Sequence, residues 1–240
     1  MSGRRVSGRR PDELRAVRLE LGAAPRAEGS CLITVGDTRV LCTATLQEGA
    51  PPWREGSGGW VTAEYAMLPR STMQRTPRER SGPRSRTQEI QRLIGRALRA
   101  ASDLEALGPR TLIVDCDVLS ADGGTRTAAI TGGCLALWQA GARLVAVGAL
   151  PGNPVRQLVA AVSVGVVDGE PCLDLDYAED VRAEVDMNFA ALEDGGIVEV
   201  QGTAEGAPFA RDTLDALLVL AQLGTRQLFV MQRGALKADS

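Results

Sequence analysis

Hydrophobic and polar positions alternate along the first third of the chain with the period of strands. Val17, Leu19 and Leu21 alternate with Arg18 and Glu20, as in a half-exposed strand. Cys31 to Val35 and Arg39 to Thr45 flank Gly36-Asp37, which predicts a hairpin closed by a Gly-Asp turn. Residues 47–59, rich in Gly and Pro, predict a loop, and Trp60 to Leu68 predicts a further strand. The period then changes. Ile90, Leu93, Ile94, Ala97 and Leu98 follow i, i+3, i+4 spacing and predict an amphipathic helix over Thr87 to Ala101. Leu112 to Leu119 reads as a buried strand and Ser120 to Gly124 as a tight polar turn. A helix opens near Thr125 and runs through about Trp138. Residues 144–150 fit either a strand or the last turns of that helix. Leu158 to Val167, Asp168-Gly169 and Pro171 to Asp176 predict a second hairpin with an Asp-Gly turn. Ile197 to Gln201 predicts another strand. Arg211 to Leu223 predicts an amphipathic helix, with a short one following from Thr225 to Leu236.

The two halves of this pattern rhyme. Each gives a hairpin, a further strand region and then a helix, over about residues 16–105 and 155–236. The reading is an α+β fold: one domain over residues 1–240, internally duplicated, with two β-rich halves and a cleft at their junction as the expected site.

Composition narrows the chemistry. With 240 residues, 44% hydrophobic and 24% charged, the chain is long enough for a sizeable core. Eight aromatic residues (three Phe, two Tyr, three Trp) argue against base stacking as the main recognition mode. Histidine is absent, which excludes a Ser-His-Asp triad and a His-ligated zinc site. Cys31, Cys42, Cys116, Cys134 and Cys172 lack CxxC spacing and mostly sit in apolar runs, so reduced, buried thiols are expected. Residues 1–15 are basic and expected to be extended, with no apolar stretch behind the arginines as a signal peptide requires. No apolar run approaches the roughly 20 residues of a membrane helix. These features together predict a soluble, cytoplasmic protein.

The net charge of −3 hides a strong local asymmetry. Residues 70–99 carry Arg70, Arg75, Arg78, Arg80, Arg84, Arg86, Arg92, Arg96 and Arg99 against Glu79 and Glu89, a footprint for a polyanion or a solvated arm. Gly123-Gly124 lets the backbone take positive φ just before a helix N-terminus, which makes a plausible anion cradle or simply a helix start. Arg126 stands in the first turn of one predicted helix, and Arg86 stands just at the start of the other. A cation there opposes the macrodipole, and one bound phosphate would explain both. Residues 174–188 are acidic, and Asp180, Glu184 and Asp186 are candidate ligands for a hard cation. Six residues of extended chain span roughly 20 Å, too far for Asp180 and Asp186 to share an ion without a bend. Glu184 and Asp186 on one strand face would be roughly 7 Å apart, so pattern alone ranks that pair first. An exposed acidic strand face alternating with Val181, Ala183 and Val185 is the other reading.

Several blocks together resemble the bacterial ribonuclease PH family. They are Gly58-Gly-Trp-Val-Thr-Ala-Glu-Tyr65, Glu89-Ile-Gln-Arg-Leu-Ile-Gly-Arg96, the run from Asp115 to Ala128, Ala183-Glu-Val-Asp-Met-Asn188 and Glu199-Val-Gln-Gly-Thr-Ala-Glu-Gly206. They run in family order from Ala27-Glu-Gly29 to the final helix and cover nearly the whole chain.

The resemblance implies two related β-rich halves with helices packed on the sheets, the ribosomal S5 domain 2-like arrangement, assembled as a homo-hexameric trimer of dimers. It implies a phosphorolytic 3′→5′ exoribonuclease acting on tRNA precursors, with inorganic phosphate as co-substrate, nucleoside diphosphates as products and nucleotide addition as the reverse reaction. RNA, not DNA or a membrane, is the implied partner. The family's phosphate ligands fall on Arg86, Gly124, Thr125 and Arg126. Its catalytic acids and Mg²⁺ (or Mn²⁺) ligands fall on Asp180 and Asp186, and its RNA-contacting loop on Arg70, Arg75, Arg78 and Arg80. It also implies that residues 144–147 continue the helix. The chain departs from the family at Ser85, where a Gly usually precedes the arginine, and in details of the 70–84 loop. Two other readings stay open on the residues: a non-catalytic RNA-binding ring subunit, and a metal-dependent hydrolase using the same carboxylates.

Overall fold

The computed structural model describes residues 5, 7–54, 56, 58–79 and 81–239. Its strands fall into two sheets. The first holds β1 (Val17–Leu21), β2 (Gly29–Val35), β3 (Thr38–Glu48), β4 (Trp60–Met67) and β5 (Arg110–Ser120), in the spatial order β1-β2-β3-β5-β4. Neighbours are antiparallel except β4 and β5, which are parallel because helix α1 (Ser85–Ala100) carries the chain back between them. The second sheet has the order β7-β6-β8-β9, from β6 (Val159–Val167), β7 (Glu170–Leu173), β8 (Val185–Leu192) and β9 (Ile197–Ala204), all antiparallel. The two hairpins close where the sequence placed them, at Gly36-Asp37 and Asp168-Gly169, with positive φ at Gly36, Asp168 and Gly169.

Helix α2 (Thr125–Ala146) joins the halves. It packs on β2, β3 and β5 of the first sheet and on β6 of the second, and every residue from Thr127 to Leu137 is buried. A helix buried on all sides carries no amphipathic stripe, which is why the sequence pattern ended it near Trp138. The helix runs eight residues further, so residues 144–146 are helical and not a strand. Thr131 Oγ1 receives the Ala161 N–H at 3.1 Å, and Gln232 Nε2 donates to the carbonyls of Thr131 (3.0 Å) and Val159 (3.1 Å). These buried polar ties fix α2 and the last helix to β6, whose nine residues are all buried.

The last helix, α4 (Arg211–Asp239), corrects the expected pair of helices: it passes through Gly224 without a break. A Cβ on Gly224 would lie 2.7 Å from Leu173 Cδ1, so this glycine serves close helix–sheet packing and does not end the helix. By length and composition α4 is apolar enough to cross a membrane, a property hidden by the expected break. Its inner residues Leu217, Ala221, Leu228 and Phe229 are buried, and the helix packs on β6, β7 and β8. Among the described residues the other helical elements are a 3-10 turn at Pro52–Arg54 and a single α-helical turn, α3 (Tyr177–Asp180).

The described arginines of the basic N-terminal arm at positions 5 and 15 are packed against the second half. Arg5 and Arg15 are each 8% exposed, and both are held by carboxylates of the second half.

Candidate active site

Three segments converge where the halves meet: the start of α1, the turn from β5 into α2, and the acidic stretch between β7 and β8. Gly123 and Gly124 both take left-handed φ (74° and 66°), and Gly124 is the N-cap of α2. A Cβ on Gly123 would lie 2.7 Å from the Leu175 carbonyl oxygen and 2.8 Å from the Asp176 carbonyl carbon. The glycine thus lets the acidic segment lie directly against the turn. Neither α1 nor α2 has a side-chain N-cap bond, and neither has an acidic residue in its first turn. The α2 N-terminus therefore presents its amides and positive dipole end with no side-chain cap, while at α1 the Glu79 carboxylate accepts the Arg84 N–H at 3.0 Å and the Thr87 hydroxyl at 2.9 Å.

Arg126 lies in the first turn of α2. Its Nη1 reaches Gln201 Oε1 at 3.4 Å and Glu89 Oε1 at 3.7 Å, while Gln201 Nε2 donates to Glu89 at 3.1 Å. This chain links α2, β9 and α1 and leaves most of the five guanidinium donors uncommitted among the described residues. Thr125 Oγ1 is 2.8 Å from the Tyr65 hydroxyl. Burial raises the Tyr65 pKa, partly offset by that hydrogen bond and by Arg86 and Arg126. Arg86, in the first turn of α1, is exposed, and it acts electrostatically on Tyr65, Asp180 and Asp186.

The acidic stretch is not one strand. Asp176 caps the α3 turn with a full capping box: its side chain accepts from the Glu179 N–H at 3.0 Å, and the Glu179 side chain accepts from the Asp176 N–H at 3.1 Å. The chain then turns through Val181 and Arg182 before β8 begins at Val185. That bend brings Asp180 close enough to Asp186 to shift it, which six extended residues would not allow. Burial, then Asp180, push the Asp186 carboxyl up to about 6, against the opposing pull of Arg126. Asp180 is also raised, by burial first, with Arg126 and Arg86 opposing.

Glu184, ranked with Asp186 by the strand period, lies elsewhere. It is exposed and accepts the Gly169 N–H at 2.9 Å across the β6–β7 turn, because β8 starts only after it. Glu205 takes the place of a third acid, raising both Asp180 and Asp186. Of the loop arginines, Arg70, Arg75 and Arg78 are exposed, and Arg80 lies outside the described residues. The loop base is tied to the turn that precedes α2 by the Ala121 N–H, which donates to the Ser71 carbonyl at 2.8 Å.

Glu89, Gln201, Tyr65 and Glu205 lay inside the family-like blocks, but no spacing rule singled them out. Their partners come from other elements, so only the fold reveals them.

A metal has a plausible place here. Among the described residues no group of three or more Cys, Asp or Glu side chains is gathered for an ion. Asp180 and Asp186, however, are two raised carboxylates that are not neutralised by a salt bridge. Mg²⁺ is commonly held by one or two carboxylates together with water and substrate phosphate, so this donor set fits it.

Two arginine-bearing helix N-termini and a pair of carboxylates meet on a two-sheet α+β frame, a charge arrangement suited to an enzyme that handles phosphate groups. Residues 13–143 match domain 1 and residues 157–224 match domain 2 of the 3′ exoribonuclease family. The chain belongs to that family. It is 56% identical over 239 residues to the ribonuclease PH of Methylobacterium sp. (strain 4-46), covering 96% of this chain and 99% of that protein. In fold it is similar to a chain of the Archaeoglobus fulgidus exosome solved with RNA bound to the active site (TM-score 0.81, 24% identity, 93% of this chain and 91% of that chain). A chain of an archaeal exosome core is also similar (TM-score 0.78, 23% identity, 95% and 91%).

Proposed function

We propose that the site shortens RNA from the 3′ end by phosphorolysis, as a ribonuclease PH, and that precursor tRNAs are its substrates. The observation that carries this reading is the pair of helix N-termini, each with an arginine in its first turn, that act on Asp180 and Asp186. A phosphate oxygen attacks the terminal phosphodiester, the bond from phosphorus to the penultimate 3′ oxygen breaks, and a nucleoside diphosphate leaves. The reverse reaction adds nucleotides. Two anions must meet, so catalysis consists of holding the nucleophile and offsetting charge that builds up in the transition state. Arg86, Arg126 and the amides at Gly124 and Thr125 hold the phosphate, with Tyr65 fixing the Thr125 hydroxyl. Phosphate is largely dianionic near neutral pH, so a chain without histidine needs no strong base to activate it. The departing 3′ oxygen requires a proton, and in the metal-free site the Asp186 carboxyl, pushed up to about 6, is a group that can donate it. A Mg²⁺ ion held by the ionised Asp180 and Asp186 carboxylates would take over that role, supplying Lewis-acid stabilisation of the departing and phosphoryl oxygens in place of a proton.

The exposed Arg70, Arg75 and Arg78 lie on the loop whose Ser71 is bonded to Ala121, and their charge suits an RNA backbone. Replacing all three with Ala should make the log–log salt slope of RNA binding shallower by about 2, at about 0.7 per phosphate contacted on a single strand. An unchanged slope removes the loop from the RNA path. Self-assembly into a hexameric ring is part of the same proposal. It is supported by Val219, Leu223, Val230 and Met231, which keep apolar surface exposed along α4.

The test of the activity is phosphate omission. With a 3′-extended RNA, shortening and nucleoside diphosphate release should require inorganic phosphate. Nucleoside monophosphates released without phosphate would instead support hydrolysis by the same carboxylates. RNA binding without any product would support the non-catalytic ring subunit.

A further inference from the structure

The basic N-terminal arm takes no part in the chemistry above, yet it makes the densest set of buried ionic contacts among the described residues. Arg5 Nε donates to Glu179 Oε1 at 2.6 Å, and Nη2 pairs with the other carboxylate oxygen. The same guanidinium donates to the carbonyls of Leu173 (2.6 Å) and Asp174 (2.8 Å). Arg9 adds contacts to Glu179 Oε2 (3.1 Å) and the Asp174 carbonyl (2.9 Å). Glu179 immediately precedes Asp180 and closes the capping box that forms the α3 turn. Arg15 faces the other way. Its Nε and Nη2 donate to the Asp174 carboxylate at 3.0 and 2.7 Å, while Nη1 donates to the Asp122 carbonyl and Nη2 approaches the Gly123 carbonyl at 3.4 Å. Asp174 itself has φ 56°, a left-handed conformation uncommon for this residue type, and Arg15 and Arg9 both grip it.

We propose that the arm is a positioning clamp between the two halves of the site: Arg5, through Glu179, sets Asp180, and Arg15, through Asp174 and the Asp122–Gly123 carbonyls, sets the phosphate turn. The chain supports the clamp physically because each guanidinium fork is buried and multiply bonded, so its partner has one position and not several. This proposal rests on the phosphorolytic reading of Asp180 and of residues 124–126. A misplacement of about 1 Å at a reacting group can cost on the order of 10² in rate, so a clamp remote from the substrate still bears on turnover.

The two arginines should fail differently. Arg5→Ala should lower kcat by on the order of 10- to 100-fold with KM for phosphate nearly unchanged. Arg15→Ala should raise KM for phosphate about tenfold, and direct titration with inorganic phosphate should show the same weakening, absent in Arg5→Ala. Free guanidinium should restore turnover to Arg5→Ala but not to Asp180→Asn. If Arg5→Ala does not fold, Glu179→Gln, which keeps the side chain's size and loses its charge, should show the same loss of kcat. Variants with wild-type kcat, KM and phosphate affinity per folded molecule would overturn the clamp while leaving phosphorolysis standing. A wild-type protein that binds phosphate but releases no nucleoside diphosphate would overturn phosphorolysis. In that case the contrast between Arg15→Ala and Arg5→Ala in phosphate titration still decides whether the arm sets the cradle.

Discussion

Asp186→Asn should abolish turnover and at the same time make the metal-free protein more stable near neutral pH. The Asp186 carboxyl is pushed up to about 6 by burial and by Asp180. Its unfolded-state value is about 3.9, so folding favours the protonated form. A raised acid contributes stability that is fully present below about pH 3.9 and is lost as pH rises through about 6. Above that pH the folded protein carries an ionised, half-buried carboxylate beside another one. A shift of about two units corresponds to about 3 kcal/mol at face value. Residual solvent exposure reduces the expected gain from Asn to about 1–2 kcal/mol. Urea unfolding of both proteins from pH 4 to 8 checks this: the two curves should converge at the acid end and separate through pH 6. Mg²⁺ should stabilise the wild-type protein more than the variant, because binding to the folded state raises stability by mass action. Turnover should fall by on the order of 10³ or more, with RNA affinity retained. An Asp186→Asn protein that is folded and active would remove this residue from the chemistry.

That opposition between stability and function marks the kind of residue whose role depends on three-dimensional context. The hairpins were legible because a Gly-Asp or Asp-Gly pair between apolar runs has one common solution, and β2–β3 and β6–β7 adopt it. Helix α1 was legible because one face is buried and the other is solvated. The errors arose where that contrast vanishes. In α2 both sides are buried, and in α4 a glycine that normally signals a stop sits against Leu173 instead. Within the proposed site, Arg86 and Arg126 announced themselves by violating local preference, since an arginine in a first helical turn is electrostatically misplaced. The acidic pair did not. Strand spacing favoured Glu184 with Asp186, and the bend that brings in Asp180 depends on a capping box whose Glu179 is anchored by Arg5, 174 residues away. No local period encodes a contact of that separation. The resemblance to a family supplied Asp180 where the pattern had no means to.

Arg126→Ala is expected to lower kcat/KM for phosphate by on the order of 10²–10³, the usual scale for losing one donor to transition-state charge. What makes the substitution informative is that the fold has little stake in this side chain. Among the described residues its direct contacts are one long hydrogen bond to Gln201 (3.4 Å) and one ion pair with Glu89 at 3.7 Å, beside its longer-range pull on Asp180 and Asp186. Against them stands the unfavourable placement of a cation at the N-terminus of α2, about 0.3–1 kcal/mol, and the higher helix propensity of Ala. The melting temperature should therefore stay within a few degrees of wild type. Arg126→Lys sharpens the comparison, because it keeps the charge and loses the planar fork. If the site reads phosphate bidentately, Lys should recover only about one tenth of the lost rate or less. If charge alone matters, Lys should restore most of it. An Arg126→Ala enzyme with wild-type kcat/KM would mean that Arg86 and the helix amides bind phosphate without it, and that the arginine has only the α2–β9–α1 contact to explain it.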